Sequence, residues 1–277
     1  MIGAQSRFGS ARVWRDLVKN LTLRDLRGQY NRSALGWAWS ILNPLSLIVV
    51  YALVFSLFLR VEPPVGDPSG LHSFPFFLVA GLIPWTFLAV GLSRSAESIT
   101  GNQSLVTKVY FPRSALPSSI VASAFVTFCV EMLVVMVFYL FGHGPQVLVW
   151  MPVVALIMLL QLAFVLGLGI LVSVANVYFR DVQHLITVGL QPWFFLTPII
   201  YPASVEALSR SLLGISGRQW LNINPMTHFV EAYHSALYDL RWPSPARWAA
   251  MIATVIVVWA VAISTYRRLE PRLAEEL

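Results

Sequence analysis

The stretch Arg24–Leu59, RDLRGQYNRSALGWAWSILNPLSLIVVYALVFSLFL, decides the fold class. It opens polar and basic, turns apolar at Ala34 and stays so to Leu59, apart from Asn43-Pro44 in mid-run. A helix needs about 20 apolar residues to cross a bilayer core of about 30 Å. A basic flank, tryptophans at the boundary and a run of this length describe a chain entering a membrane from the cytoplasmic side. An Asn-Pro pair inside such a run costs backbone hydrogen bonding, so it predicts a break or bend in the first span.

The rest of the chain fits that opening. Of its 277 residues 57% are hydrophobic and 12% charged, against about 25% charged in soluble domains. Such a chain cannot cover its surface with polar groups in water. The expected class is an all-α polytopic membrane protein. The net charge of +6 lies at span edges, where it sets orientation, and this argues against a nucleic-acid partner. The single cysteine, Cys129, sits in an apolar run and reads as a small buried hydrophobe, with no partner in the chain for a disulfide. No apolar core follows the first charges, so no secretory signal peptide is expected, and the first span stays in the mature protein.

Six apolar segments predict six transmembrane helices, at about 34–59, 74–92, 115–141, 147–175, 182–200 and 247–266. Residues 1–33 then form an N-terminal segment and 267–277 a tail. Fourteen basic residues fall on one face: Arg7, Arg12, Arg15, Lys19, Arg24, Arg27, Arg32, Arg94, Lys108, Arg113, Arg180, Arg267, Arg268 and Arg272. Five fall on the other, Arg60, Arg210, Arg218, Arg241 and Arg247. The basic face belongs in the cytoplasm, with both termini inside.

Trp14, Leu17, Val18 and Leu21 share one helical face, with Arg12, Arg15, Asp16 and Lys19 around the rest. This predicts an amphipathic interface helix lying among lipid headgroups. The connection ITGNQSLVTKVYFPRSALP, 99–117, is polar and then apolar. It predicts a short exposed helix at a cytoplasmic apex, suited to docking another protein. The external stretch 201–246 carries apolar clusters too lipophilic for a free loop, which predicts partial re-entry into the membrane. Pro192 and Pro198 predict a kinked or broken fifth span.

Chemistry-bearing motifs are absent. There is no GxxxxGK[ST] phosphate loop, HExxH, GxSxG or Cys/His cluster. No metal, cofactor or catalytic residue is expected in this chain. Glu131 is the one carboxylate deep in a predicted span. It reads as a proton or ion relay, or as a structural hydrogen bond to a neighbour, and the second fits better because no other ionisable group sits at its depth. Many tryptophans mark span ends and form an interfacial belt. Deeper aromatics, Tyr51, Phe55, Phe58, Phe87, Phe194 and Phe195, with Trp193 beside them, present faces that suit sugar C–H surfaces. They are candidates to line a path, and periodicity does not separate a lining face from a lipid-facing one.

The segments RDLRGQYNRSALGWAWSILNPLSLIVVYALVFS, FLVAGLIPWTFLAVGLSRSAESITGNQSLVTKVYFPRSALP, YFRDVQHLITVGLQPWFFLTPIIYP and NPMTHFVEAYHSALY resemble, in order and spacing, the membrane subunits of ABC-2 type polysaccharide, O-antigen and teichoic-acid exporters. The resemblance covers most of the chain. It implies a homodimer in the bacterial plasma membrane, two copies of a separate ATPase subunit that bind ATP and Mg, and a lipid-linked glycan as substrate. It places Asn102, Gln103, Leu105, Lys108 and Phe111 in or beside the coupling element, and Arg180 and Asp181 in the second cytoplasmic connection. It also implies that aromatics near spans one and five line or gate the path. One departure stands after Glu231-Ala232-Tyr233, where the family pattern has Arg and this chain has His234. The same architecture serves exporters of small hydrophobic drugs or lipids. A membrane enzyme would need clustered acids, and Glu62, Asp67, Glu206, Glu231 and Asp239 are dispersed.

Overall fold

The computed structural model describes residues 5–30, 36–58, 64–109, 111–202, 211–212, 215–270, 273 and 276. It is built of helices: α1 (Gln5–Tyr30), α2 (Trp39–Tyr51), α3 (Phe74–Glu97), α4 (Gln103–Lys108), α5 (Ala115–His143), α6 (Met151–Tyr178), α7 (Val182–Phe195), α8 (Gly217–Ile223), α9 (Pro225–Tyr233) and α10 (Pro245–Leu269). A two-residue antiparallel pairing, β1 (Ser211–Leu212) with β2 (Ile215–Ser216), interrupts the α7–α8 connection. Among the described residues, three helical stretches are long and apolar enough to cross a membrane: Phe74–Glu97, the continuous Ala115–Tyr178 that holds α5 and α6, and Pro245–Leu269.

The first apolar run does not break at Asn43-Pro44. Helix α2 continues through the pair to Tyr51, and the irregularity comes later, as a wide π-helical turn over Ala52–Phe58. Pro44 is the sixth residue of α2 and removes one i→i−4 backbone bond there without ending the helix. The fifth apolar segment also departs from expectation, because α7 has 14 residues and stops at Phe195 rather than Ile200. At 1.5 Å per residue it is about 21 Å long, shorter than a bilayer core. The chain turns there: the Leu196 amide donates to Pro192 O at 2.9 Å and the Thr197 amide to Phe194 O at 3.2 Å. Pro198 then has no N–H with which to continue a helix.

The main core lies among α3, α5, α6 and α9, and includes Leu78, Phe128, Ile157, Phe164, Phe229 and Tyr233, all buried. Gly81 lets α3 and α9 approach: a Cβ there would stand 3.1 Å from Val230 Cγ1 and 3.3 Å from Ile199 Cα. Gln161 fixes the same junction, donating from Nε2 to Pro84 O at 2.8 Å and accepting from Tyr233 Oη at 2.9 Å. Helix α10 leaves Ile252, Ile256, Val257 and Val261 exposed, an apolar face that suits lipid or another membrane helix.

A second, smaller core sits at the opposite end from the 64–73 loop. Leu21 of α1, Ile99, Val106 of α4, Leu116, Val174, Val177 and Leu273 of the tail close it. Helix α1 is therefore anchored to protein. Its Leu21 is buried and its Leu17 and Val18 are half-buried, and Thr22 donates to Ser119 O at 3.2 Å. Of the face expected to lie among headgroups, Trp14 is exposed, Leu17 and Val18 are partly exposed, and Leu21 is packed into the protein. Packing of α1 on the bundle has buried Leu21 of that face.

Candidate functional site

Two ends of the bundle carry the candidate functional groups. At the basic end, α4 projects between two turns. Its Val106 is buried in the small core and Leu105 and Phe111 pack half-buried on it, while Gln103, Lys108 and Val109 face outward. This alternation follows from QSLVTK, whose apolar Leu-Val pair faces inward and whose polar neighbours face out. Asn102 holds the turn before α4, donating from Nδ2 to Ser98 O at 2.8 Å. Arg180 and Asp181 lie exposed at the turn between α6 and α7.

The residue that ties these two turns together went unnoticed in the sequence. Asn176, buried near the end of α6, donates from Nδ2 to Ala96 O at 2.9 Å and accepts on Oδ1 from the Gln183 amide at 3.1 Å. Its signal is visible in retrospect: a lone amide at the end of an apolar run, next to a loop. The tail joins the same assembly. Arg113 donates to Glu270 O, Tyr266 Oη accepts from the Ser114 amide at 2.9 Å and donates to Glu270 Oε1 at 2.8 Å, and Trp14 Nε1 donates to Ser114 Oγ at 3.2 Å. Asp25 of α1 pairs with Arg94 of α3 at 2.6 Å. The 99–117 connection is thus fastened to α1, α3, α6 and α10 at once.

The structure separates the candidate aromatics into three groups. Tyr51 stacks on Phe55 with centroids 5.9 Å apart, and Phe55 stacks on Phe74 at 5.0 Å. Phe58 is 75% exposed at the end of that ladder. Trp193 and Phe194 both meet the edge of Trp85 at 5.7 Å, and Phe195 meets Phe194 at 5.2 Å while remaining 65% exposed. Phe87 stands apart: it is 2% exposed and stacked on Phe128 at 4.7 Å between α3 and α5. It is a packing residue in this chain, and its place on a path surface is corrected for that reason. Glu131 is also buried on α5.

At the other end, Asn224 organises the approach to α9. It caps the helix, accepting on Oδ1 from the Met226 amide at 3.0 Å and from Trp193 Nε1 at 2.8 Å. Its Nδ2 donates to Leu196 O at 3.1 Å and Thr197 Oγ1 at 2.9 Å. The Asn-Pro start in NPMTHF is an N-cap followed by proline at the first helical position. Helix α9 is tied to α10 by Arg247, whose Nε and Nη2 each stand 2.9 Å from Glu231 Oε2 and whose Nη1 donates to Ser235 Oγ at 3.0 Å.

His234, where the family pattern has Arg, is buried, stacks on Phe77 at 4.1 Å and donates from Nε2 to Phe77 O at 3.0 Å. Arg247 places a cation in this neighbourhood, facing Glu231 from α10. The 64–73 loop closes over the same end: Ser69 Oγ donates to Tyr238 O at 2.6 Å, and Tyr238 Oη donates to Pro64 O at 2.6 Å. Burial pushes the Asp239 carboxyl above the usual range, while Arg241 and the Asp67 amide pull it back. Between these elements lies a cavity of about 370 Å³. No group of acids, histidines or cysteines able to hold a metal occurs among the described residues.

The sequence model of a family described as ABC-2 type transporter matches residues 16–238. The chain is 34% identical over 269 residues to the O-antigen export system permease protein RfbA of Myxococcus xanthus, covering 95% of this chain and 96% of that protein. It is 29% identical over 266 residues to the protein of the same name from Klebsiella pneumoniae, covering 95% of each. It is 26% identical over 226 residues to the polysialic acid transport protein KpsM of Escherichia coli, covering 79% of this chain and 80% of that one.

Proposed function

The chain belongs to the ABC-2 type transporter family, and from that premise we propose that it is the permease subunit of an ATP-driven exporter of a cell-envelope polysaccharide. The observation that carries this is the end-to-end similarity to an O-antigen export permease, 34% identity over 95% of the chain. The further likeness to a polysialic acid transport protein favours a glycan over a small hydrophobic drug or lipid.

In this reading two copies of the chain pair in the bacterial inner membrane, with a translocation path between them. The basic end faces the cytoplasm, six segments cross, and α9 re-enters from outside to complete the short α7. The burial of Met226, Phe229 and Tyr233 supports that re-entry, because α9 packs among the long apolar helices. The substrate is a lipid-linked glycan. ATP and Mg are bound by two copies of a cytoplasmic partner subunit.

That partner seats on α4 and the Arg180-Asp181 turn, touching Asn102, Gln103, Leu105, Lys108 and Phe111. Nucleotide-driven movement of α4 passes through Asn176 and the small core to α3 and α6, and shifts the bundle between two states. The exposed Phe58 and Phe195, with the half-buried Tyr51, Phe55, Trp193 and Phe194 beside them, offer the glycan flat apolar faces with no deep trap. The test is reconstitution of the chain with its ATPase in vesicles loaded with lipid-linked glycan. ATP-dependent appearance of the glycan on the far side is expected; ATP-driven movement of a hydrophobic drug without any glycan would overturn the reading.

A further inference from the structure

The cavity at the end opposite α4 has a lining that selects its ligand class. Its wall carries Glu231 and Arg247, its rim Asp67, Asp239 and Arg241, and buried Ser235 lies behind them. Both guanidinium groups already face carboxylates: Arg247 stands 2.9 Å from Glu231 and Arg241 3.4 Å from Asp239. Asp67 adds a third carboxylate. An anionic ligand would meet two neutralised cations and a spare acid. A metal ion finds no donor cluster among the described residues. An acyl chain would have to desolvate two ion pairs, which apolar contact does not compensate.

A neutral polyhydroxylated ligand meets none of these objections. Each sugar hydroxyl both donates and accepts, and here carboxylates that only accept alternate with guanidinium groups that only donate. The volume of about 370 Å³ falls at the small end of ligand pockets, which run from about 300 to 1,000 Å³, and suits one or two sugar rings. A second observation agrees. The Thr227 hydroxyl, in the same wall, is fully buried and has no hydrogen-bond partner among the described residues.

We infer that this cavity is a saccharide site that holds neutral sugar units of the exported glycan on the external side, at the junction of α9, α10 and the 64–73 loop. The inference rests on the exporter reading above. It adds a holding site in each subunit, separate from the candidate path aromatics, and its walls join the re-entrant helix to the last span. Occupancy would brace α9 against α10 while the chain emerges.

The test uses the full chain with its ATPase partner in lipid nanodiscs, and saturation-transfer NMR with methyl hexosides as neutral probes and methyl glucuronide as the charged one. Saturable binding of a neutral hexoside is expected, with affinity falling at least tenfold in Arg241→Ala and in Val65→Trp. Val65 lines the mouth and is exposed, so a tryptophan there obstructs the cavity without removing a hydrogen bond. The cell's own glycan, released from its lipid, is expected to displace the hexoside. Preference for the glucuronide, binding unaffected by Val65→Trp, or failure of the glycan to compete would each overturn the inference. The same preparation is assayed for glycan export: export without hexoside binding defeats this site alone, whereas loss of export from the unaltered complex defeats the exporter reading.

Discussion

Asn176 Nδ2 donates to the Ala96 carbonyl at 2.9 Å, so the end of α6 holds the end of α3 just before the turn that leads into α4. The same side chain accepts from the Gln183 amide at the start of α7. Asn176→Leu keeps the volume and removes both bonds, and leaving a buried polar group without its partner costs about 1–3 kcal/mol. The expected outcome is a lower melting temperature together with a larger loss in export than in ATP hydrolysis. Parallel export and ATPase assays on the reconstituted complex check it. Equal losses in the two would mean that Asn176 only stabilises the fold.

Lys108 and Phe111 separate docking from packing. The Lys108 side chain is exposed and Phe111 is half-buried on the small core. Lys108→Glu is expected to change stability by no more than about 0.5 kcal/mol, as exposed substitutions do. It reverses a charge on the face proposed to seat the ATPase and is expected to weaken partner binding about tenfold, roughly 1.4 kcal/mol. Phe111→Ala loses both contacts and packing. Titration of the ATPase onto nanodisc-held permease, with thermal unfolding of each variant, distinguishes them.

The small core shows how far patterning reaches. A basic flank and an apolar run predicted a membrane helix at each of the long segments, because hydropathy is a local property that needs no partner. The 99–117 connection was legible for the same reason: Leu105 and Val106 stand out in a polar turn. The fates of Phe87 and Phe195 were not legible. Both are phenylalanines in apolar runs, and only the packing of α3 on α5 decides that one is buried and the other bare. The end of α7 was signalled by Pro192 and Pro198, but where the chain turns depends on Asn224, 29 residues beyond Phe195, capping both α9 and the Leu196 carbonyl. Arg247 read as a boundary charge, and only the folded chain brings Glu231 to it.

That difference between the phenylalanines is itself testable. Phe87→Ala removes a buried ring stacked on Phe128 and is expected to cost about 3–5 kcal/mol, the range for truncating a core aromatic. Phe195→Ala removes a ring that is 65% exposed and is expected to leave unfolding within about 0.5 kcal/mol of the parent, while slowing glycan export. Thermal unfolding in nanodiscs and an export assay read the two effects. A Phe195→Ala protein that exports at the parent rate would remove Phe195 from the path.

Asp239 gives a pH dependence with a definite sign. Burial raises its pKa, and Arg241, the Asp67 amide and Arg247 only partly offset this. A carboxyl whose pKa is higher in the folded state than in the unfolded chain is bound more tightly to its proton when folded. Its ionised form therefore carries a penalty that is full above the folded pKa, shrinks as the pH falls through that value, and is gone below the unfolded one. Asp239→Asn keeps an oxygen to accept from the Asp67 amide and removes the charge. The variant is expected to melt above the parent at neutral pH, with the gap closing as the medium is acidified through the carboxylate range. Melting curves collected across that range for both proteins check it. A variant that melts below the parent at neutral pH would show that the Arg241 pair, 3.4 Å away, outweighs the cost of burial.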